Sequence, residues 1–395
     1  MTHPSAVVVG AGIGGIAAAL GLAEQGWGVS ILERAPRLRA AGGGIGLTPN
    51  AIRALDAIGA RQPVGRAAIE QAHGGIRRPN GTWISRADLA FIRARFGDPV
   101  LAIHRSALLE VMAELLPKSA LRTATTAVSV DPGDAERPAV VRSDRGDIVA
   151  DLVVAADGIH SAIRNSLFTD HPGLRYAGYT SWRMVVPACD VPVAGETWGR
   201  GLRFSILPLP GGLVHCSALA AAPIGSPNDR ADLVARFGGW HPPIPQLIDA
   251  ARSYDVLHHD IVELPKVLPA FHYGRVVIVG DAAHAMTPNI GAAGLAIEDA
   301  ATIMRTLGPA GPMSAHAVPA ALREFTRIRR PRSIRLARQA RRIGAIGCWS
   351  STPAVAFRDI GVAAAGRIPA VLTARALDPL MGWRPPEPPS TIGSV

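Results

Sequence analysis

Gly10, Gly12 and Gly15 make a G-x-G-x-x-G pattern, with Gly14 inside it, between the apolar run Ala6 to Val9 and an Ala/Leu-rich stretch. Side chains there would block a pyrophosphate, whereas bare backbone N–H groups and the positive end of a helix dipole attract one. Glu33 lies 18 residues after Gly15, where a carboxylate accepts both ribose hydroxyls of an adenosine. These residues point to a dinucleotide without a 2′-phosphate, and leave NAD and FAD both open. A second carboxylate, Asp281, follows Gly280 at the end of the run Val276 to Val279 in "GRVVIVGDAAHAMTPNIG". Ligands of open α/β sheets gather at such strand tips. Asp281 also reads as a helix N-cap bonding nearby amides.

The elements that must position these groups follow from pattern. "AVVVGAGIGGIAAALGLAEQGWGVSILER" predicts a buried strand, a helix to about Gln25 and a second strand ending at Glu33, half of a parallel βαβ unit. "GGGIGLTPNAIRALDAIG" reads as a flexible loop feeding a helix from about Pro49 to Ile58, and Pro79-Asn80-Gly81 as a hairpin turn. Ser106 is the expected N-cap of the next helix. Short strands are expected at Thr125 to Val130, Ala139 to Arg142, Ile148 to Ala150 and Leu152 to Ala156. Residues 176–273 are rich in proline and short strands; helices follow to Gly347 and more weakly to Leu377. The Pro-rich tail "WRPPEPPSTIGSV" reads as disordered. The expected fold class is α/β. It has a discontinuous Rossmann-like dinucleotide-binding domain (1–75, 100–175, 274–345), an inserted β-rich domain (76–99, 176–273) and a C-terminal helical segment with the tail (346–395).

A chain of 395 residues with 48% hydrophobic content has ample core for more than one domain. The net charge of +10 is almost all arginine, since Lys118 and Lys266 leave 39 of the 41 basic residues as Arg. That skew, with abundant Ala, Gly and Pro, reads as GC-rich coding, and no nucleic-acid module accompanies it. The densest basic run, Arg327 to Arg342, carries Ile, Leu and Ala at helical spacing and reads as a helix with a solvated arginine face. Cys189, Cys216 and Cys348 form neither a disulfide framework nor a metal site. Ser5 to Ala23 is uncharged, yet its five glycines and the absence of preceding Lys or Arg argue against a membrane span or signal peptide. A cytoplasmic protein, monomeric or homodimeric, is expected.

"DLVVAADGIHSAIR" (Asp151 to Arg164) and "GRVVIVGDAAHAMTP" resemble two fingerprints of the flavoprotein aromatic hydroxylases, the p-hydroxybenzoate hydroxylase-like family. In pattern the chain is most similar to the salicylate, 3-hydroxybenzoate 6- and 6-hydroxynicotinate 3-monooxygenases. The resemblance runs in order over most of Val7 to Arg342 and includes "GGGIGLTPNAIRAL", "IHRSALLEVM" and "YTSWRMVVP". It implies bound FAD, with Asp281 accepting from the ribitol hydroxyls. Arg105 would lie near the diphosphate and ribitol. Pro288, Gly291, Gly294 and Leu295 would border the flavin's pyrimidine edge at a helix N-terminus. Asp157, with Gly158 and Arg164, would stand on the flavin side and on the approach of NADH or NADPH, or Asp157 and Arg164 would simply pair. Arg34, beside Glu33, and Val128 complete the expected cofactor set. "NIGAAGLAIEDA" departs from the family pattern, lacking its usual Gln and about one residue.

No second glycine loop exists for NAD(P)H, as the resemblance implies for a reductant that docks transiently. The implied reaction is a single-component monooxygenation. NAD(P)H reduces the flavin, dioxygen (O2) forms a C4a-hydroperoxyflavin, and one oxygen passes to a small aromatic or heteroaromatic substrate. A base helping to ionise a phenol would speed that transfer. His215 is the candidate base, or else a packed ring. Arg203, Arg183 and Tyr179 are candidates for anchoring an anionic substrate, and His284 reads as structural. The rivals are epoxidation or Baeyer-Villiger oxygenation on the same fold, and a non-catalytic FAD protein, which the shortened loop would favour.

Overall fold

In this computed structural model the run Ser5–Val9 pairs in parallel with Leu152–Ala155 on one side and Gly28–Leu32 on the other. The structure describes residues 3–38, 42–188, 194–226, 229–251, 256–311, 316–368 and 370–387. Val276–Ile278 extends the sheet in parallel beyond Leu152–Ala155, and Leu121–Arg122 extends it beyond Gly28–Leu32. The six-stranded order ends with the short antiparallel strand His272–Tyr273. Strands covered on both faces read as unbroken apolar runs, as these do. Val276, Val277 and Ile278 are fully buried. At about 2 kcal/mol each, they fix the strand that delivers Gly280 and Asp281.

The helices Ile13–Glu24 and Ala292–Leu307 pack face to face, and glycine sets their separation. A Cβ at Gly14 would stand 3.3 Å from the Ala296 Cβ, and one at Gly21 would stand 3.2 Å from the Met304 Cβ. Gly294 plays the same part against Pro49–Ala57, where its Cβ would meet that of Ala51 at 3.1 Å.

A second, seven-stranded sheet runs Leu257–Glu263, Arg175–Pro187, Leu213–Ala221, Leu202–Leu209, Gly195–Trp198, His73–Arg77, Trp83–Asp88. All its pairings are antiparallel except Gly195–Trp198 with His73–Arg77. Side chains alternate across a strand, and the faces differ. Trp182, Met184, Phe204, Ile206, Cys216 and Ala218 enter a core closed by Leu233, Phe237, Leu247 and Ile248 of two helices. The intervening residues Ser181, Arg183, Ser205, His215 and Ser217 therefore share the other face.

Several expectations are corrected. Gly44–Leu47 is a strand paired antiparallel with Leu101–His104, not a flexible loop. The helix Arg105–Glu114 is capped by His104, whose Nδ1 accepts from Ser106 N at 3.3 Å; the strand runs straight into the helix and leaves Ser106 inside it. The arginine run is not simply a solvated face. Arg329 is fully buried, donating to Asp299 Oδ1 at 2.7 Å and Glu298 Oε2 at 2.6 Å, and Arg332 also pairs with Glu298. The start of the tail is ordered, because Trp383 O accepts from Arg53 Nε at 2.8 Å and its ring faces Arg329. The tail from residue 388 onward and Cys189 lie outside the described residues. Cys216 and Cys348 are free thiols. Among the described residues no helix is long and apolar enough to cross a membrane, and no group of three or more His, Cys, Asp or Glu could hold a metal ion.

Candidate flavin and substrate site

The glycine loop is a cradle that only bare backbone can form. A Cβ at Gly15 would lie 1.9 Å from Gly10 O, and one at Gly10, whose φ is +100°, would lie 2.5 Å from Ala156 O. Gly12, by contrast, has nothing within 4 Å of its Cβ position and caps a 12-residue helix without any side-chain cap. Open space before uncapped N–H groups is what a diphosphate requires.

Glu33 is also a clamp. Its Oε2 accepts from Ala11 N at 2.9 Å and its Oε1 from Ala35 N at 2.8 Å. A carboxylate has about four acceptor positions, so each oxygen keeps one for a sugar hydroxyl. The exposed Arg34 follows it. Thr125 N donates to Glu33 O at 2.9 Å, and Val128 follows in the strand Ala127–Asp131 of a separate three-stranded sheet. Val128 is 67% exposed.

Buried polar atoms without a partner mark the next part of the cleft. Arg105 Nε and Asp157 Oδ1 have none among the described residues. A group carrying phosphate oxygens and hydroxyls would satisfy both kinds of atom. Asp157 Oδ2 accepts from Ile163 N at 3.2 Å, while Arg164 donates to Ile159 O at 3.0 Å and Ala282 O at 3.3 Å. The alternative Asp157–Arg164 ion pair is not formed. Arg164 is buried and fastens two loops.

Asp281 is the exposed first residue of Asp281–His284 and makes no capping hydrogen bond. What holds it in place is behind it. Asp299 Oδ2 accepts from Gly280 N at 2.9 Å and from His284 Nε2 at 2.7 Å. Burial alone would raise the Asp299 pKa, but His284 and Arg329 draw it down to about 2. His284 is thus part of a buried network that pins the turn, as the structural reading expected.

Past that turn, Pro288 and Gly291 are exposed ahead of the helix Ala292–Leu307, whose cap Gly291 has φ +78° and no side-chain cap. The helix therefore directs free N–H groups and its positive end outward. Leu295, in the first turn of that helix, is buried. Its side chain packs on Met286, Leu336 and Ala340, and its carbonyl accepts from Arg329 Nη2 at 3.1 Å.

The substrate-side residues divide into two groups. Arg203 is 2% exposed, with its guanidinium held by Glu196 Oε2 at 2.7 Å and donating to Asn289 Oδ1 at 2.7 Å. Tyr179 Oη accepts from Asn289 Nδ2 at 3.2 Å. Gly344 permits that contact, since a Cβ there would lie 2.8 Å from both atoms. Arg203 is therefore neither a surface residue nor a free cation. Arg183, on the same sheet face, has no ion-pair or hydrogen-bond partner among the described residues. Burial and then Arg105 lower its pKa, and Asp281 opposes them. His215 Nδ1 meets Met184 O at 3.3 Å, so this nitrogen carries the proton and Nε2 is left as an acceptor. Burial and then Arg183 push the His215 pKa down to about 4. Gly44 makes room for this ring, a Cβ there falling 2.7 Å from the His215 Cβ. Glu196 had no motif to flag it; Asn289 and Glu298 fall in "NIGAAGLAIEDA" and Arg329 in the arginine run, but neither pattern marked what these side chains hold.

A family described as FAD binding domain matches residues 4–205 and 264–340. The chain belongs to this family. It is 35% identical over 368 residues to the aurachin C monooxygenase/isomerase of Stigmatella aurantiaca, covering 91% of this chain and 93% of that protein. It is 35% identical over 355 residues to the 3-amino-4-hydroxybenzoate 2-monooxygenase of Streptomyces cremeus, covering 85% and 86%. The crystal structure of Klebsiella pneumoniae HpxO complexed with FAD and uric acid superposes with a TM-score of 0.84 at 26% identity, over 91% of this chain and 93% of that one. The protein is a FAD-dependent monooxygenase, and the non-catalytic alternative is set aside.

Proposed function

We propose that the protein uses NADH or NADPH and dioxygen to hydroxylate a small aromatic or heteroaromatic ring carrying an ionisable hydroxyl. The observation that carries this reading is Arg183: a half-buried cation with no ion pair within 4 Å among the described residues, on a sheet face with three serine hydroxyls and a neutral imidazole. Ser181 Oγ and Ser217 Oγ are 3.3 Å apart, and Ser205 Oγ donates to Ser217 O at 3.3 Å. The names of the relatives agree with it, since one acts on an aminohydroxybenzoate and HpxO was crystallised with uric acid.

Bound FAD supplies electron transfer from the pyridine nucleotide and activation of oxygen. The residues of this chain do the rest. Arg183 favours the anionic form of the substrate hydroxyl and so enriches the ring in electrons. His215 Nε2 accepts a hydrogen bond from a second polar group of the ring and orients it, a role that suits an imidazole held neutral. The uncapped helix end at Gly291 stabilises negative charge at the pyrimidine edge. The packed core around Trp182 and Phe204 keeps water from the far face of the sheet.

Mixing the purified protein anaerobically with NADH or NADPH, with and without a panel of phenols and hydroxylated N-heterocycles, tests the reading. The expected result is bleaching of the flavin that ring substrates accelerate, followed by a product heavier by one oxygen atom when air is admitted. In Arg183→Gln the flavin content should be unchanged, while kcat/KM falls by roughly 30-fold or more, the worth of about 2 kcal/mol in a charge-assisted bond. A variant that keeps full kcat/KM would overturn the role of Arg183.

A further inference from the structure

The helix Thr352–Arg367 lies outside the flavin and substrate site and packs on Trp83–Asp88 with Arg358 and Asp359 buried. Its opposite side is an uncovered apolar stripe. Phe357 is 73% exposed and Ile360 68%, and Ile368 just beyond the helix is 46% exposed. Ala364 stands in line with Ile360 and Phe357 at helical spacing, and it too is exposed. Two large side chains so open to water, on one helix face and separated by less than a turn, are unusual for a solvated surface.

Beside the stripe runs a cleft of about 450 Å3, lined by Arg78, Trp83, Arg86, Ala363 and Arg367 among others. Arg77 sits 3.9 Å over the Trp83 ring and Arg86 5.0 Å from it. Asp359, the acid of this region, is already shared by Arg78 at 2.9 Å and Arg358 at 2.9 Å. Arg77, Arg86 and Arg367 have no acidic partner within 4 Å among the described residues. Arg367 is seven residues after Ile360 and so lies on nearly the same line of the helix. Exposed Phe357 and Ile360 beside uncompensated arginines suit an anionic headgroup layer, whose phosphates the cations meet.

We propose that this helix and its arginine cleft dock the protein on an anionic phospholipid surface. Charge complementarity selects this occupant over a second copy of the chain. A two-fold contact sets the same patch against itself, which would gather the unpaired arginines of both copies in one interface in a chain of net charge +10.

Sedimentation of the flavin-loaded protein with vesicles of phosphatidylglycerol and phosphatidylcholine, against vesicles of phosphatidylcholine alone, tests it. Binding is expected only to the first, weakening as salt is raised. Phe357→Glu with Ile360→Glu should abolish binding while the flavin spectrum stays that of the parent. Arg86→Gln with Arg367→Gln should weaken binding by roughly 25-fold, about fivefold for each arginine near the surface. Equal binding to both vesicle types, or full binding by the double Glu variant, would overturn the proposal. So would a dimer in lipid-free solution that the double Glu variant splits, since that assigns the stripe to a second copy.

Discussion

Arg203 and Asn289 join the substrate sheet to the loop in front of the flavin helix: the arginine Nη1 donates to the asparagine Oδ1 at 2.7 Å. Asn289 Nδ2 in turn reaches Tyr179 Oη at 3.2 Å, Thr287 Oγ1 at 3.0 Å and Ala340 O at 3.0 Å. One short side chain thus ties the loop to two strands of the second sheet, to the long helix Ala317–Gly347 and to itself.

Asn289→Ala removes all four contacts and leaves Arg203 with Glu196 alone. The variant should lose about 2 kcal/mol of stability, two net hydrogen bonds at about 1 kcal/mol each. It should also release flavin more readily on dilution. A thermal unfolding curve and a flavin fluorescence titration check both; an unchanged melting temperature would show the loop is held by other means.

Asp281 presents a carboxylate that no described residue engages by a hydrogen bond. Asp281→Ala should therefore cost little stability and weaken FAD binding at least tenfold, since a carboxylate bond to a hydroxyl is worth about 1.5–3 kcal/mol. Circular dichroism and the ratio of flavin to protein absorbance separate the two effects. Parent-like flavin occupancy in this variant would remove Asp281 from the cofactor set.

With its pKa at about 4, His215 is neutral throughout the neutral range. The profile of kcat/KM against pH should then carry no histidine limb from His215 between about pH 5 and 8. His215→Gln, which keeps an acceptor, should retain more activity than His215→Leu. A limb near pH 6.5 that disappears in His215→Gln would show that the ring gains and loses a proton during turnover.

The Asp299 carboxylate gives a stability prediction with a definite sign. Its folded pKa of about 2 lies below the model-compound value of 3.8, so the unfolded chain takes up the proton first. Its contribution, about 2 kcal/mol, is complete above pH 4 and drains away as pH falls toward 2. Urea denaturation measured across that window should show the loss. Asp299→Asn, which breaks a buried charge network around Arg329, should be strongly destabilised at pH 7, by about 3–5 kcal/mol.

The parts legible in the sequence were those written in local pattern. Gly10, Gly12 and Gly15 sit between strand and helix because the apolar run and the Ala/Leu stretch each announce their element, and Asp281 follows its strand for the same reason. The inward face of the second sheet was less legible. Which of Arg183 and Arg203 lacks a counter-ion depends on Glu196, which pairs across a strand, and on Asn289, 86 residues from Arg203. The arginine helix misled because helical spacing alone cannot tell a cation facing water from one facing Glu298 and Asp299. Ser106 misled because a cap position depends on where the preceding strand stops.

The second sheet keeps its larger hydrophobic core on one side, through Trp182, Met184, Phe204 and Cys216, and only the small cluster of Tyr179, Leu219 and Ile261 on the other. Ser181, Ser205 and Ser217 lie on the opposite face and take no part in that larger core. Exchanges at Ser181, Ser205 and Ser217 can reshape the recognition surface while the scaffold beneath stays intact. A lineage built on this plan can diversify the rings it accepts by varying alternate codons of three strands.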